Sequence, residues 1–158
     1  MGDKSVVRSA GESEALWMLG GLYEVKLSSD ETNGALTVME MTIPEGMGPP
    51  LHVHDVDETV YVLEGTARYH IGDETVEAGP GSVIHLPAGT WETFEPQGTT
   101  VRVLISYRPG GIDKFFVEAG ERAKAREVPP PMESPPDFER LAAIASRYGL
   151  QLQPPPGA

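Results

Sequence analysis

The chain has 158 residues, 39% of them hydrophobic and 23% charged, with no cysteine and a formal net charge of −12. That length fits one domain with a real core, and the composition is that of an ordinary soluble protein. The acidic balance argues against a nucleic-acid partner, whose phosphates need Lys and Arg; the missing cysteines exclude disulfides, thiolate catalysis and zinc–thiolate sites; no apolar run approaches a membrane span.

The N-terminal stretch MGDKSVVRSAGESE lacks the apolar centre of a signal peptide. A cytoplasmic protein is expected, with a loose polar segment over residues 1–14. Strands are predicted over 16–19, 22–27 and 35–43. Asn33-Gly34 before the third reads as a tight hairpin turn, because both residues tolerate positive φ. Short strands follow at 59–63, 66–71, 74–77, 82–86, 92–95 and 100–107, with turns at Gly72-Asp73 and Gly79-Pro80-Gly81. Many short strands with turns every 8–12 residues or so predict an antiparallel sandwich or barrel over residues 15–108.

Residues 109–158 differ in character. A short helix is predicted over 112–119, ending at Gly120. Pro129-Pro130-Pro131 and Pro135-Pro136 read as an extended connector. Asp137 is a candidate N-cap for a helix over 138–148, stopped by Gly149. Phe138, Leu141, Ala142, Ala145 and Tyr148 form its apolar face, suited to the outside of the barrel or to a second subunit. The tail over 154–158 is expected to be disordered.

The chemistry concentrates in Gly46-x5-His52-x-His54-x3-Glu58-x6-Gly65. Residues i and i+2 of a strand share a face, so the roots of His52 and His54 lie roughly 6–7 Å apart on one side. Two imidazoles leaning across that gap can reach one metal with bonds of about 2.0–2.1 Å. Glu58 joins them only if Asp55-Val56-Asp57 turns, since six extended residues would carry it roughly 20 Å away. Three polar groups converging in an apolar barrel are costly to bury without a partner, and a divalent cation satisfies all three.

This spacing resembles the first motif of the cupin superfamily at every position. The second cupin motif resembles Gly81, Ser82 to Leu86, Pro87-Ala88-Gly89 and Thr90-Trp91, followed here by Glu92 where the family pattern has its last metal histidine. The resemblance spans roughly residues 15–108 and implies an all-β, antiparallel jelly-roll barrel. It is closest to the small single-domain cupins called quercetin-dioxygenase-like, through Leu19-Gly20-Gly21, Asn33-Gly34, Pro49-Pro50-Leu51 and Gly110-Gly111-Ile112-Asp113-Lys114-Phe115-Phe116. In flavonol-cleaving relatives the places of His52 and His54 hold Fe, Ni, Mn or Cu, and the place of Glu58 accepts the substrate's hydroxyl proton.

The expected cofactor is one divalent transition metal (Fe, Mn, Ni, Cu or Zn) on His52 and His54, with Glu58 and Glu92 as further ligands. Both carboxylates are also candidate catalytic bases, and Glu92 has the further reading of a solvated residue at the barrel mouth. Without metal, two neighbouring carboxylates cannot both ionise easily, so one should hold its proton more tightly. His85 is a candidate donor beside the site, and Trp91, Phe94, Tyr61 and Met39 are candidate pocket walls; His70, Glu40 and Asp57 have no assigned role. The resemblance implies an oxygenase acting on a small hydroxylated aromatic or enolisable molecule. The same residues also suit a non-oxidative isomerase or cyclase, or a non-catalytic ligand-binding cupin. A homodimer is expected, with no nucleic acid and no membrane.

Overall fold

The computed structural model describes residues 4–154. Two antiparallel sheets face each other. The larger holds seven strands in the order β11-β1-β2-β3-β10-β5-β8, the smaller five in the order β12-β4-β9-β6-β7. In chain order these are β1 Glu14–Met18, β2 Gly21–Leu27, β3 Thr37–Ile43, β4 His52–His54, β5 Asp57–Glu64, β6 Ala67–Ile71, β7 Glu74–Ala78, β8 Val83–Leu86, β9 Trp91–Pro96 and β10 Val101–Arg108. Helix α1 Asp113–Ala119, strand β11 Glu121–Arg122, helix α2 Phe138–Ser146 and strand β12 Leu150–Leu152 complete the chain. This is the all-β jelly-roll arrangement that the strand spacing predicts.

Alternation sets the core. In β3 and β10 every second side chain is buried, so Met39, Met41 and Ile43 meet Val101, Val103, Ile105 and Tyr107 inside the sandwich. Arg102 and Glu40, on the opposite parity, pair on the outer face. Gly65 turns β5 into β6 with φ +76°, and an added Cβ there would strike the Thr100 carbonyl. Glycine fits both requirements.

Three sequence expectations need correction. Asn33 and Gly34 do take positive φ, and β2 and β3 do pair antiparallel. The connection is nevertheless the nine-residue loop between Leu27 and Thr37, not a two-residue turn. Its closing bond runs from Gly34 N to Ser29 O at 2.8 Å. The buried carboxylate of Asp113 explains why it holds its shape, accepting from Ser29 N and Oγ, both at 3.2 Å, and from Thr37 Oγ1 at 2.6 Å.

The second correction concerns α2. Asp137 caps it through Arg140 N at 3.1 Å, but the helix ends at Ser146, and its buried residues are Leu141, Ile144 and Ala145. Ile144, outside the predicted face, is buried, Phe138 is only half-buried, and Tyr148 packs against the core from beyond the helix end. Third, β11 and β12 were not expected. β12 pairs with β4, placing Leu150 opposite His54 and Leu152 opposite His52. The expectation of a disordered tail over 154–158 falls, beyond Pro154, outside the described residues.

Residues 4–13 form no helix or strand. Arg8 holds the Lys26 carbonyl at 2.6 Å and the Glu31 carboxylate at 2.8 Å. Among the described residues, no helix is long and apolar enough to cross a membrane.

Candidate metal centre

Three short elements meet at the site. β4 supplies His52 and His54, both buried, on its inner face. The chain bends at Asp55-Val56 and enters β5 in the opposite sheet, where Glu58 points inward. β9 lies beside β4 with His52 directly opposite Glu92, which is only 2% exposed. Four donor atoms, one from each of His52, His54, Glu58 and Glu92, lie within 4.8 Å of one another. The turn required between His54 and Glu58 is present, and Glu92 points inward rather than to solvent at the mouth.

The two imidazoles stand edge to face, ring centroids 5.0 Å apart. His52 Nδ1 lies 2.8 Å from the Pro50 carbonyl. A carbonyl can only accept, so Nδ1 carries the proton and Nε2 is presented to the cluster. Nε2 lies 2.9 Å from Glu92 Oε1. His54 Nε2 lies 3.4 Å from Glu58 Oε2.

The electrostatics divide the carboxylates. Burial pushes Glu58 well above the ordinary carboxylate range, and the neighbouring charge of Glu92 pushes it further. Burial also pushes Glu92 upward, but its hydrogen bond and attraction to His52 outweigh that, and it lies below the ordinary range. Burial, then repulsion from His52, lowers His54 to about 3. One carboxyl thus holds its proton more tightly than the other, as sequence reasoning expects of such a pair.

Donor chemistry and polar satisfaction both fit a cation. Four buried side-chain polar atoms lack a hydrogen-bond partner among the described residues: His54 Nδ1, Glu58 Oε2, Glu92 Oε2 and Tyr69 Oη. Three of them belong to candidate ligands, two of these being carboxylate oxygens. Unpaired buried acceptors of this kind are expensive, and a divalent ion would satisfy them. Two imidazoles and two carboxylates suit a transition ion better than Mg or Ca.

A cavity of about 50 Å³ adjoins the four residues. Its walls are almost wholly apolar. Met41, Phe94, Ile105 and Tyr107 come from the barrel, and Phe115, Phe116, Leu141, Leu150 and Leu152 from the C-terminal region. Phe94 is therefore a wall, as expected. Trp91 and Tyr61 are not: they sit on the opposite parity and are 38% and 44% exposed. Met39 is buried core. His85 is on the outer surface, bonded to Thr59 Oγ1 at 2.9 Å, so it does not serve the site. His70 bonds Thr75 and Glu95 outside the barrel. Asp57 accepts from Ala88 N at 2.9 Å, tying the bend to the loop before β9.

Sequence reasoning missed Tyr107, which lies opposite Glu58 in the β5–β10 register with its ring 5.2 Å from that of His54. It shares parity with Val101, Val103 and Ile105, a signal that could have found it. The apolar roof from α1, α2 and β12 had no such signal, because it depends on how the extension folds back.

Residues 39–107 match the model of the cupin domain, and solved cupins share the two-sheet architecture. A cupin domain thus lies over residues 39–107 of the chain. Among curated proteins this cupin is 25% identical over 116 residues to quercetin 2,3-dioxygenase of Bacillus subtilis, covering 73% of the chain but 34% of that protein. It is 36% identical over 56 residues to an uncharacterised protein of Streptomyces coelicolor, covering 35% of the chain and 53% of that protein. The cupin thus spans about a third and about half of these relatives' lengths. Among solved structures, the polyketide cyclase RemF from Streptomyces resistomycificus superposes with TM-score 0.61 at 20% identity, covering 87% of the chain and 94% of RemF. An RmlC-like cupin from Shewanella frigidimarina gives 0.60 at 17% identity, covering 70% of the chain and 96% of that protein. These structural likenesses show the fold.

Proposed function

We propose that this cupin is a metal-dependent oxygenase of a small, apolar, hydroxylated aromatic or enolisable molecule. The observation that carries the reading is the division of labour between two buried carboxyls. Glu92, held ionised by His52, joins His52 and His54 as a ligand. Glu58 completes the set and is the proton acceptor. An ion of Fe, Mn, Ni, Cu or Zn held there would supply Lewis-acid polarisation of a substrate oxygen and, where redox-active, a path for electrons to dioxygen.

The rest is the work of this chain's residues. Glu58 Oε2 is unpartnered and buried, with its basicity raised by burial and by Glu92. A carboxylate so placed takes the proton of a substrate hydroxyl or an acidic C–H, and general-base help of this kind contributes about 10²–10⁴-fold. Phe94, Tyr107, Phe115 and Phe116 offer aromatic faces to a flat molecule and exclude water. A cavity of about 50 Å³ is well below the roughly 300–1,000 Å³ of a ligand pocket. Substrate entry therefore requires the roof of α1, α2 and β12 to shift.

The likeness to the Bacillus quercetin 2,3-dioxygenase supports the oxidative reading. The nearly whole-length likeness to RemF favours a second one, a non-oxidative cyclisation using Glu58 as a proton shuttle. One experiment separates them. Protein purified without added metal is analysed for metal, then loaded with each candidate ion and offered enolisable aromatics in an oxygen electrode. Oxygen uptake stoichiometric with substrate loss is expected. Conversion at equal rate without oxygen would replace the first reading with the second, and tight binding without turnover would leave a ligand-binding cupin.

A further inference from the structure

Among the described residues, two other than glycine take positive φ, Leu19 at +49° and Asn33 at +55°. Asparagine visits this region readily, because its short polar side chain bonds locally; leucine has no such help and holds the conformation at a cost. Leu19 and Gly20 are the two loop residues of the β1–β2 hairpin, with Met18 paired to Gly21. A turn with positive φ at both central residues suits Asn-Gly best. The leucine side chain is half-buried and lines two hollows at once. Inside is the cavity of about 50 Å³ beside the four candidate ligands. Outside is a surface hollow of about 300 Å³, walled by Trp17, Gly120, Pro136 and Arg140 among others. Met18, Leu19 and Leu141 belong to both, so side chains of the turn and of α2 form the partition. Among the described residues, no hydrogen bond joins residues 18–20 to residues 136–141. A second outer hollow, of about 470 Å³, meets the cavity at His54 and Leu150. Those two are partners in the β4–β12 ladder, and Asp55 N donates to Gly149 O at 3.0 Å beside them. A passage there would break backbone hydrogen bonds, whereas the first partition opens by moving side chains.

We propose that substrate enters between the β1–β2 turn and α2, and that Leu19 is the gate, its size setting which ring systems pass. The inference rests on the reading of the cavity as a site for a small aromatic molecule. The turn is closely packed: Met47 Sδ and Ile43 Cδ1 lie 2.6 and 2.7 Å from where Cβ atoms on Gly20 and Gly21 would stand. The moving parts are therefore the side chains of the partition and α2. Backbone strain held at a cavity entrance is a recurrent mark of residues kept for function, and a closure of this kind governs both admission and release.

Binding of β-naphthol to the full chain tests this without any turnover. Its emission changes when it leaves water, so stopped-flow fluorescence gives both rates. Leu19→Asn keeps a residue suited to the turn and removes the apolar side chain. Association and dissociation should both rise about 10-fold or more, because a gate hinders entry and exit alike. The dissociation constant should therefore stay within about 3-fold of wild type. Leu19→Phe, bulkier at the same place, should slow both rates, which a merely loosened turn would not do. Trp91→Ala, which trims the second hollow, should leave both unchanged. Leu19→Gly carries the same expectation as Leu19→Asn should that variant not fold. Rates within about 2-fold of wild type in Leu19→Asn, or faster dissociation alone, would overturn the gate. Unslowed exchange in Leu19→Phe, or an equal acceleration in Trp91→Ala, would overturn it too, and each of these outcomes leaves the cavity reading standing. If neither wild type nor any variant binds β-naphthol, the reading of the cavity as an aromatic site fails first, and the gate falls with it.

Discussion

His52 and His54 share one face of a three-residue strand, yet the two halves of the site are held differently. His52 donates to the Pro50 carbonyl at 2.8 Å and faces Glu92 at 2.9 Å, its direct neighbour in the ladder. His54 has no partner at Nδ1 among the described residues and faces Glu58, which belongs to the opposite sheet, at 3.4 Å. The first half is set by one sheet and its hydrogen bonds. The second spans the sandwich, so its geometry depends on how the sheets are spaced and on what covers His54. A preorganised half suits metal retention, and a half with a proton and a free oxygen suits chemistry.

The hardest test of that difference is deletion of each imidazole. His52→Ala should remove most bound metal and all activity, because it takes away a ligand whose orientation is already fixed. His54→Ala should leave measurable binding, weakened at least about 10-fold. Metal analysis of both variants checks this, and equal losses would erase the proposed asymmetry. The carboxylates sharpen it further. Glu58→Gln should keep most of its metal while turnover falls by roughly 10²–10⁴. Glu92→Gln should lose metal first, with activity following occupancy. Reversed results would exchange the roles of the two residues.

Much of this centre was legible in the sequence because it is written in short range. The spacing of His52, His54 and Glu58 needs only the two-residue repeat of a strand and one turn at Asp55-Val56. Glu92 was found by its distance from Gly81, Pro87 and Gly89. The difference between the two halves was not legible, since it depends on which backbone carbonyl lies behind each ring. Pro50 O is local but invisible to a pattern of residue types. Trp91 and Tyr61 were misplaced for a simpler reason: aromatic character outweighed parity, although Glu92 inward forces Trp91 outward. The β12 strand escaped notice because three residues after a helix carry too little periodicity. Its pairing with β4 is a long-range contact that only the fold supplies.

Proton linkage gives a third, smaller effect that separates the halves. His54, lowered from 6.5 to about 3, is neutral in the folded chain between those two values, where an unfolded histidine would be charged. Its contribution to stability is therefore present above about 6.5 and lost as pH falls toward about 3. Glu58 has the opposite sign. Its folded value is raised, so its contribution is present below the ordinary value of 4.5 and is lost as pH rises through the raised one. At pH values below the raised value of Glu58, metal binding must then displace the proton of Glu58 but none from His54, once the pH is above about 3. In weakly buffered solution, Glu58→Gln should release fewer protons than wild type on metal addition, with the difference growing as pH falls. Unchanged release would assign the proton elsewhere.

The mildest probe acts through the backbone behind His54. Gly149 joins α2 to β12 at φ +74°, and its carbonyl accepts from Asp55 N at 3.0 Å, one residue past His54. An added Cβ would press on the Asp55 side chain, an exposed group that can turn away, so the main cost is the left-handed backbone itself. Gly149→Ala should thus lower stability by about 1 kcal/mol. The disturbance enters beside Leu150, opposite His54, and reaches His52 only through Leu152 at the far end of the pairing. If the two halves are held independently, metal content should stay near wild type while turnover, which uses the His54–Glu58 half, falls severalfold. A loss of metal equal to the loss of turnover, read by metal analysis and rate on one preparation, would show that β12 supports both histidines alike.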